Sequence, residues 1–172
     1  MTKYIACLRA INVGGTKIIK MDDLRKIFES FGLNNVQTYI QTGNVIFEAK
    51  ESPTLETKIE TQLEEALGYR VEVFLRSMAE IESIVNQNHF EPKEEDALHI
   101  VFLREKPATA LVDALKQYNS PADEFAVIGR EVYNLRHNRD KSVFSNNFIE
   151  KIFGAATTRN STTLRKIYEK YQ

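Results

Sequence analysis

The sequence predicts an α+β protein made of two related halves, and three observations support this fold class. Short apolar strand patterns alternate with amphipathic helix patterns along the whole chain. The order of these elements in residues 1–88 is repeated in part in residues 89–172. The chain has 172 residues, of which 42% are hydrophobic, so it can bury a core without help from disulfides.

The first half is predicted to run strand, helix, two strands, helix, strand. Its strands are expected at residues 3–9, 36–41, 44–49 and 71–76, which are rich in β-branched and aromatic residues. Its helices are expected at residues 21–31 and 53–67, where apolar residues recur at helical spacing. Gly32 and Gly68 end these helices, and Thr42 with Gly43 forms a tight hairpin. This βαββαβ order is that of a ferredoxin-like fold, in which two helices cover one face of an antiparallel sheet.

The second half is predicted to repeat this order incompletely. A helix at residues 78–86 leads into a polar, acidic segment broken by Pro92, which sets the boundary between a domain of residues 1–88 and one of residues 89–172. Strands are expected at residues 97–104, 124–128 and 131–136, and helices at residues 108–118, 143–153 and 161–171. No counterpart of the fourth strand is predicted, so this half is expected to be an incomplete α/β plait with a C-terminal helix.

Charge and composition exclude several functional classes. The chain carries 23 basic and 24 acidic residues, a formal net charge of −1, which is not typical of a protein whose whole surface binds nucleic acid or membranes. Cys7 is the only cysteine, so no intrachain disulfide can form and a reducing compartment is expected. No apolar run approaches the ~20 residues that span a bilayer, and a strand begins almost at Met1. We therefore expect a cytoplasmic protein without a membrane partner.

Two polar stretches that contain glycine predict a binding site in the first half. They cover residues 12–17, after the first strand, and residues 41–44, between the second and third strands. In a ferredoxin-like sheet the first strand lies beside the third, so both stretches should line the same sheet edge. Backbone N–H groups at glycine turns and side-chain donors favour an anion such as phosphate. The donors expected there are Arg9, Asn12, Gly14, Gly15, Lys17, Gln41 and Asn44.

A purely structural interpretation of the same residues stays open. Gly14 and Gly15 could serve only a tight turn, and Asn or Gln side chains often bond to nearby backbone groups. Neither a GxGxxG nor a GxxxxGK[ST] motif is present.

Basic residues near the C-terminus form a second candidate site. Arg136, Arg139, Lys141 and Arg159 could bind phosphate together, or Arg159 could pair with a carboxylate. Arg159 and Asn160 are the ligand-binding residues expected in this segment. Ser142 is expected to cap the helix that follows it, and Asn160 or Ser161 to cap the last helix. His137 is the candidate acid or base, and its cationic neighbours should lower its pKa. The three histidines have no ligands at metal-binding spacing, so neither a metal nor another cofactor is expected.

Three motifs give the chain a resemblance to a known family. Residues 8–15 read LRAINVGG and residues 39–47 read YIQTGNVIF, while Arg159, Asn160 and Thr163 lie in a TxRNxxT pattern. The chain resembles a widespread family of uncharacterised bacterial proteins, a domain of unknown function whose motifs are LRGINVGG, YIQSGNVVF and TxRNxxT. The resemblance implies a two-part α+β fold and no established activity. Ala10 replaces the family's usual glycine, and Ser161 stands where tryptophan is common.

Four functions follow from these observations. The first is binding of a phosphate-bearing or other anionic small molecule at the edge formed by residues 12–17 and 41–44. The alternatives are a module that binds single-stranded nucleic acid on an open sheet face, an enzyme that acts on an anionic substrate with Arg159, Lys17 or His137, and a scaffold that pairs through the unfilled edge of the second sheet. No catalytic residue and no oligomeric state can be assigned from the sequence.

Overall fold

The computed structural model describes all 172 residues and divides them into two compact units. Unit 1 comprises residues 1–84 and 167–172, and unit 2 comprises residues 85–166. The strands are β1 (Thr2–Leu8), β2 (Asn34–Tyr39), β3 (Asn44–Ala49), β4 (Val73–Ser77), β5 (Ala97–Leu103), β6 (Asp123–Ile128), β7 (Glu131–Arg136) and β8 (Ala156–Asn160). The helices are α1 (Met21–Ser30), α2 (Leu55–Leu67), α3 (Met78–Asn86), α4 (Thr109–Lys116), α5 (Asn146–Phe153) and α6 (Ser161–Tyr171). None of these helices has the length and apolarity that crossing a membrane requires.

Unit 1 has the ferredoxin-like arrangement that the sequence predicts. Its four strands form one antiparallel sheet in the order β2-β3-β1-β4. Alternate residues of the strands face α1 and α2, because successive side chains of a strand point to opposite faces. The resulting core includes Ala6, Leu8, Leu24, Phe28, Val45, Phe47, Ile59 and Leu63.

The end of α6 belongs to unit 1 although the rest of this helix lies in unit 2. Lys3 Nζ donates a hydrogen bond of 2.7 Å to the carbonyl of Tyr171, and the rings of Tyr39 and Tyr171 meet edge to face. The first unit therefore contains the last six residues of the chain as well as residues 1–84, whereas the sequence placed one boundary after residue 88.

Unit 2 repeats the same topology with all four strands, in the order β6-β7-β5-β8. The expectation that its last strand is missing is therefore wrong, since β8 pairs with β5 throughout its length. Its sequence, ATTRN, lacks the apolar alternation of a half-buried strand. Side chains of α5 hold it instead: Asn146 Nδ2 donates to the Ala156 carbonyl at 3.1 Å, and Glu150 Oε1 accepts from the Ala156 amide at 3.2 Å. The unfilled sheet edge that the scaffold interpretation needed does not exist.

The two sheets have buried arginines at the same position of their last strands. Arg76 of β4 lies opposite Ile5 of β1, and Arg159 of β8 lies opposite Ile100 of β5. Arg76 is 0% exposed and Arg159 is 7% exposed. Each donates from Nη1 to the carbonyl of the preceding residue at 2.9 Å. The internal repeat thus includes a residue identity that the sequence comparison of the halves did not reveal.

Both faces of each sheet carry buried side chains. On the face of the unit 1 sheet opposite α1 and α2, Ile5 and Phe74 are fully buried. On the corresponding face of the unit 2 sheet, Ile100, Phe102 and Tyr133 are buried as well. The rings of Phe74, Phe102 and Tyr133 are therefore not exposed for stacking on the bases of single-stranded nucleic acid.

A buried carboxylate organises one end of unit 2. Asp123, at the start of β6, is 0% exposed and accepts three hydrogen bonds. The donors are Asn134 Nδ2 at 3.0 Å, Ser142 Oγ at 2.7 Å and the Val143 amide at 2.9 Å. The Ser142 hydroxyl thus donates to Asp123 and does not cap a helix. Ser145 caps α5, because its Oγ accepts a hydrogen bond from the Phe148 amide at 3.0 Å. The expectation that Ser142 caps this helix is wrong because α5 begins three residues later.

Candidate functional site

The glycine pair after β1 forms the tip of a small hairpin. Val13 and Thr16 make an isolated antiparallel bridge around Gly14 and Gly15, whose φ angles are +61° and +73°. Left-handed φ at both central positions is typical of a two-residue type I′ turn, which strongly favours Gly-Gly. A Cβ atom at either glycine would meet nothing within 4 Å. The glycines are therefore needed for backbone conformation, and no packed neighbour requires their small size.

Asn12 connects this hairpin to the turn between β2 and β3. Its Nδ2 donates to the carbonyls of Ile19, at 3.0 Å, and Gln41, at 3.1 Å. Its Oδ1 accepts from the Ile19 amide at 2.8 Å. The two polar stretches therefore lie side by side, as the sheet topology predicts. We call this surface, formed by residues 9–19 and 40–44, the loop-hairpin edge.

Gly43 and Asn44 hold the second stretch against the end of β1. The Leu8 amide donates to the Gly43 carbonyl at 2.9 Å, and a Cβ atom at Gly43 would lie 3.1 Å from that of Leu8. Asn44 is 0% exposed, and its Nδ2 donates to the Tyr39 carbonyl at 3.2 Å and to Thr42 Oγ1 at 2.7 Å. These contacts give Gly43 and Asn44 a structural role in the turn.

The cationic and amide side chains at the loop-hairpin edge differ in how strongly their existing contacts restrain them. Arg9 is half-buried, and its Nη1 lies 3.7 Å from Glu72 Oε1. Lys17 is exposed, and its Nζ lies 5.3 Å from the centre of the Tyr69 ring. Gln41 is also exposed. Lys17 and Gln41 are therefore the two groups that can turn toward a bound molecule with the least loss of existing contacts.

Three large aliphatic side chains are exposed at the same edge. Val13 is 62% exposed, Ile18 is 73% exposed and Ile40 is 49% exposed. Asn12 donates hydrogen bonds to the carbonyls of Ile19 and Gln41. Ile18 and Ile40 directly precede these two residues, and Val13 directly follows Asn12. The edge therefore offers apolar surface beside its polar groups.

Backbone strain is concentrated in this part of the molecule. Five residues other than glycine have positive φ, and four of them are Ala10 (+58°), Asn12 (+56°), Lys17 (+49°) and Ile40 (+49°). Asparagine tolerates this conformation, but it is unfavourable for alanine and lysine and most unfavourable for a β-branched residue such as Ile40. Such strain often collects at functional sites.

Ala10→Gly is expected to stabilise the protein. Glycine adopts the observed φ of +58° without the steric cost that alanine meets, and this is the position where the family motif has glycine. We expect a gain of about 1 kcal/mol in the free energy of unfolding, and a rise of roughly 2–4 °C in Tm. Thermal and urea denaturation measure both. The control is Ala114→Gly on the exposed face of α4, which should lower the free energy of unfolding by about 1 kcal/mol. A loss of stability at both positions would contradict the conclusion that the backbone is strained at Ala10.

The C-terminal basic residues do not present one exposed cluster. Arg159 is buried in β8, where Nη1 also donates to Thr157 Oγ1 at 2.9 Å, whereas Arg139 and Lys141 are exposed in the loop after β7. Asn160 is exposed, and its Oδ1 accepts from the Thr162 amide at 2.9 Å at the start of α6. Of the two residues expected to cap the last helix, Asn160 and Ser161, it is Asn160 that does so.

His137 is held between two carboxylates. Its Nδ1 lies 2.8 Å from Asp96 Oδ1, and its Nε2 lies 2.6 Å from Glu124 Oε2. The hydrogen bond to Glu124, with that to Asp96 second, raises the pKa of His137 above its usual value of 6.5. The expectation of a lowered pKa is therefore wrong, because it considered only the neighbouring cations in the sequence. Both carboxylates come from other strands or loops, so sequence proximity could not identify them.

His137→Gln is expected to destabilise the protein in a pH-dependent way. The raised pKa means that protonation of His137 favours the folded state. This contribution is complete below the unfolded value of about 6.5 and is lost as pH rises through the folded value. Urea unfolding should therefore separate wild type from variant clearly at pH 6 and little at pH 9. His89→Gln, at an exposed histidine, is the control; equal losses at both pH values would exclude the ion-pair explanation.

Comparison with known proteins places this architecture in a family. The family model described as a protein of unknown function, DUF1697, matches residues 1–133, which include β1 to β6, the first half of β7 and the whole loop-hairpin edge. A conserved bacterial protein of Streptococcus pneumoniae has a similar fold, with a TM-score of 0.76 and 22% identity over 98% of this chain and 97% of its own. A search of curated proteins found no significant match. The chain belongs to the DUF1697 family of proteins of unknown function.

Proposed function

We propose that the protein binds an anionic small molecule, such as a phosphate-bearing compound, at the loop-hairpin edge. The observation that carries the proposal is the Asn12 side chain, which fixes the hairpin of residues 12–17 against the turn of residues 41–44. In this arrangement Lys17 and Gln41 are both exposed. The fixed backbone lowers the entropy cost of ordering the site when a ligand binds.

Lys17 is the main cation of the proposed site. Its ammonium group has no carboxylate partner and lies near the Tyr69 ring. An exposed cation–π contact of this kind contributes about 0.5–1 kcal/mol. A charge-assisted hydrogen bond to phosphate is stronger, so a bound phosphate can draw Lys17 away from the ring. Arg9 adds a second positive charge, partly neutralised by Glu72. Gln41 supplies amide donors, and the N-terminus of α1, which has no side-chain cap, lies at the end of the same loop.

The exposed aliphatic residues favour a ligand with an apolar or ring-shaped part in addition to the anion. Ile18 and Ile40 lie next to the proposed polar contacts, and their burial by a ligand would add about 25 cal/mol for each Å² removed from water. A nucleotide combines both properties. Its phosphates would be placed near Lys17 and its base near the aliphatic side chains.

Binding is better supported than catalysis or nucleic-acid recognition. The loop-hairpin edge contains no nucleophile with an adjacent base, which acyl or phosphoryl transfer through a covalent intermediate would need. His137 and Arg159 are engaged in contacts within unit 2. The aromatic rings of Phe74, Phe102 and Tyr133 on the sheet faces are buried, so they offer no stacking surface for the nucleic-acid alternative.

A thermal-shift panel tests the proposed function. The wild type is heated with pyrophosphate, ADP, GDP and a matched neutral nucleoside at several concentrations. A ligand present at 100 times its Kd should add about 2.7 kcal/mol of stability, which raises Tm by roughly 5–10 °C. Lys17→Gln and Gln41→Ala should reduce the shift, whereas Lys26→Gln on the exposed face of α1 should not.

Asn12 is unsuitable as the diagnostic variant because its side chain also holds the edge together. If no phosphate compound stabilises the wild type, or if Lys17→Gln and Lys26→Gln respond alike, the proposed site is wrong.

A further inference from the structure

A chain of buried polar side chains in the unit 2 sheet leads to His99. Asp123 and Asn134 are both 0% exposed. Asn134 Nδ2 donates to Asp123 Oδ1 at 3.0 Å, and Asn134 Oδ1 lies 3.1 Å from Nδ1 of His99. The three residues belong to the neighbouring strands β6, β7 and β5. We call them the His99 network.

The His99 network fixes which ring nitrogen of the histidine carries the proton. The Asp123 carboxylate oxygen accepts a hydrogen bond, so the Asn134 amide turns its nitrogen toward Asp123 and its oxygen toward His99. An amide oxygen can only accept, so Nδ1 of His99 donates. In the neutral ring, Nε2 then has a lone pair and no hydrogen.

The ring of His99 is held in place while its Nε2 stays accessible. Phe144 stacks on the ring, with centroids 4.7 Å apart and planes at 23°. Nε2 makes no hydrogen bond within the protein, and no buried side-chain nitrogen or oxygen lacks a partner, so Nε2 is in contact with solvent. Burial of the ring lowers the pKa of His99 below its usual value of 6.5, although the hydrogen bond to Asn134 acts in the opposite direction. The lone pair of Nε2 is therefore available at neutral pH.

Arg136 provides a cation on the same face of the sheet. It lies in β7 opposite Ala97, two residues before His99 in β5. Such diagonal neighbours are about 7–8 Å apart, within reach of a long side chain. Arg136 is half-buried, its guanidinium makes no hydrogen bond or ion pair, and its charge helps to lower the pKa of His99. A group bonded to Nε2 would therefore be stabilised by Arg136 if it carried oxyanions, as a phosphoryl group does.

We propose that His99 is a nucleophile that accepts a phosphoryl group at Nε2 from a phosphoramidate donor. The Nε2 lone pair forms the new bond to phosphorus, the phosphorus–nitrogen bond of the donor breaks, and its electron pair leaves with the protonated amino group as ammonia. The ring keeps its Nδ1 hydrogen and becomes positively charged. Asn134 and Asp123 stabilise this charge through the hydrogen bonds of the His99 network, and Arg136 donates to the phosphoryl oxygens. The site consists of unit 2 residues and is independent of the function proposed for the loop-hairpin edge.

Incubation of the full chain with potassium phosphoramidate at neutral pH tests this site. The other two histidines are internal controls, because His89 is exposed and both ring nitrogens of His137 are bonded to carboxylates. We expect a phosphohistidine signal in ³¹P NMR that tandem mass spectrometry assigns to His99 and that grows about tenfold faster than any signal from His89. Phosphorylation of His89 as fast as that of His99, or no phosphorylation of His99, would overturn the proposal.

Two variants and one spectrum complete the test. Arg136→Gln should slow phosphorylation of His99 about tenfold, whereas Arg70→Gln, at an exposed arginine of unit 1, should leave the rate unchanged. The imidazole ¹⁵N spectrum of the wild type should show the Nδ1–H tautomer of His99 at neutral pH. Equal rates in the wild type and Arg136→Gln, or an Nε2–H tautomer of His99, would show that the proposed nucleophile is wrong.

Discussion

Asp123→Ala is expected to lower the free energy of unfolding by about 3 kcal/mol or more, because it leaves several buried polar groups unpaired. The groups that lose their acceptor are Asn134 Nδ2, the Ser142 hydroxyl and the Val143 amide. Asn134 is itself 0% exposed, so water cannot replace the carboxylate there without a rearrangement. The effect is measured as a fall in the urea midpoint and a drop of roughly 10 °C in Tm.

Two further variants separate the hydrogen bonds from the charge of Asp123. Asp123→Asn keeps one oxygen acceptor at nearly the same shape, so its loss should be intermediate. Asp113→Ala removes an exposed carboxylate from α4 and should stay within about 0.5 kcal/mol of the wild type. If Asp123→Ala were as mild as Asp113→Ala, the buried network would contribute nothing to stability.

Asn12→Ala is expected to cost about 2 kcal/mol and to detach the hairpin of residues 12–17 from the turn of residues 41–44. Three hydrogen bonds are lost, of which the two to Ile19 are partly buried and the one to Gln41 is exposed. Alanine also fits the φ of +56° less well than asparagine does. Hydrogen exchange of the Ile19 amide should accelerate, since Asn12 Oδ1 is its acceptor.

Asn12→Asp and Asn12→Gly separate the loss of stability that is due to the hydrogen bonds of Asn12 from the loss that is due to its backbone conformation. Aspartate keeps the acceptor for the Ile19 amide and loses both donated bonds, whereas glycine relieves the backbone and loses all three bonds. We therefore expect Asn12→Asp to protect the Ile19 amide better than Asn12→Gly. Unchanged exchange at Ile19 in Asn12→Ala would show that backbone contacts alone hold the edge.

Most strands and helices could be predicted because their residues have a clear periodicity. β8 is the exception, since its polar sequence is a strand only through pairing with β5 and through Asn146 and Glu150 of α5. These are contacts between segments distant in sequence, and periodicity within the segment carries no information about them.

The proximity of the two polar stretches could be predicted from strand order alone. The role of Asn12 as the joint between them could not, because its partners Ile19 and Gln41 are backbone groups that no side-chain pattern identifies. The left-handed conformation of Ile40 was likewise invisible, since a β-branched residue has no propensity for it. The family motif LRGINVGG has glycine where this chain has Ala10, and that difference is the sequence signal for strain at this residue.

Arg76 is a buried residue that the sequence pattern does not single out. It ends the apolar strand expected at residues 71–76, while its counterpart Arg159 lies in the TxRNxxT motif. Alignment of the halves by strand register, Ile5 with Ile100, makes the two arginines equivalent. The residues around the two arginines differ in β4 and β8. The equivalence of Arg76 and Arg159 therefore becomes visible only when the strand register is known.

An NMR titration of the isotope-labelled protein with pyrophosphate and ADP decides whether the loop-hairpin edge binds anions. Our account predicts saturable shifts of the amides at residues 12–17 and 41–44, larger with ADP at Ile18 and Ile40, and about tenfold weaker binding by Lys17→Gln. Absence of shifts at these amides at millimolar ligand, or saturable shifts only at other positions, would contradict it.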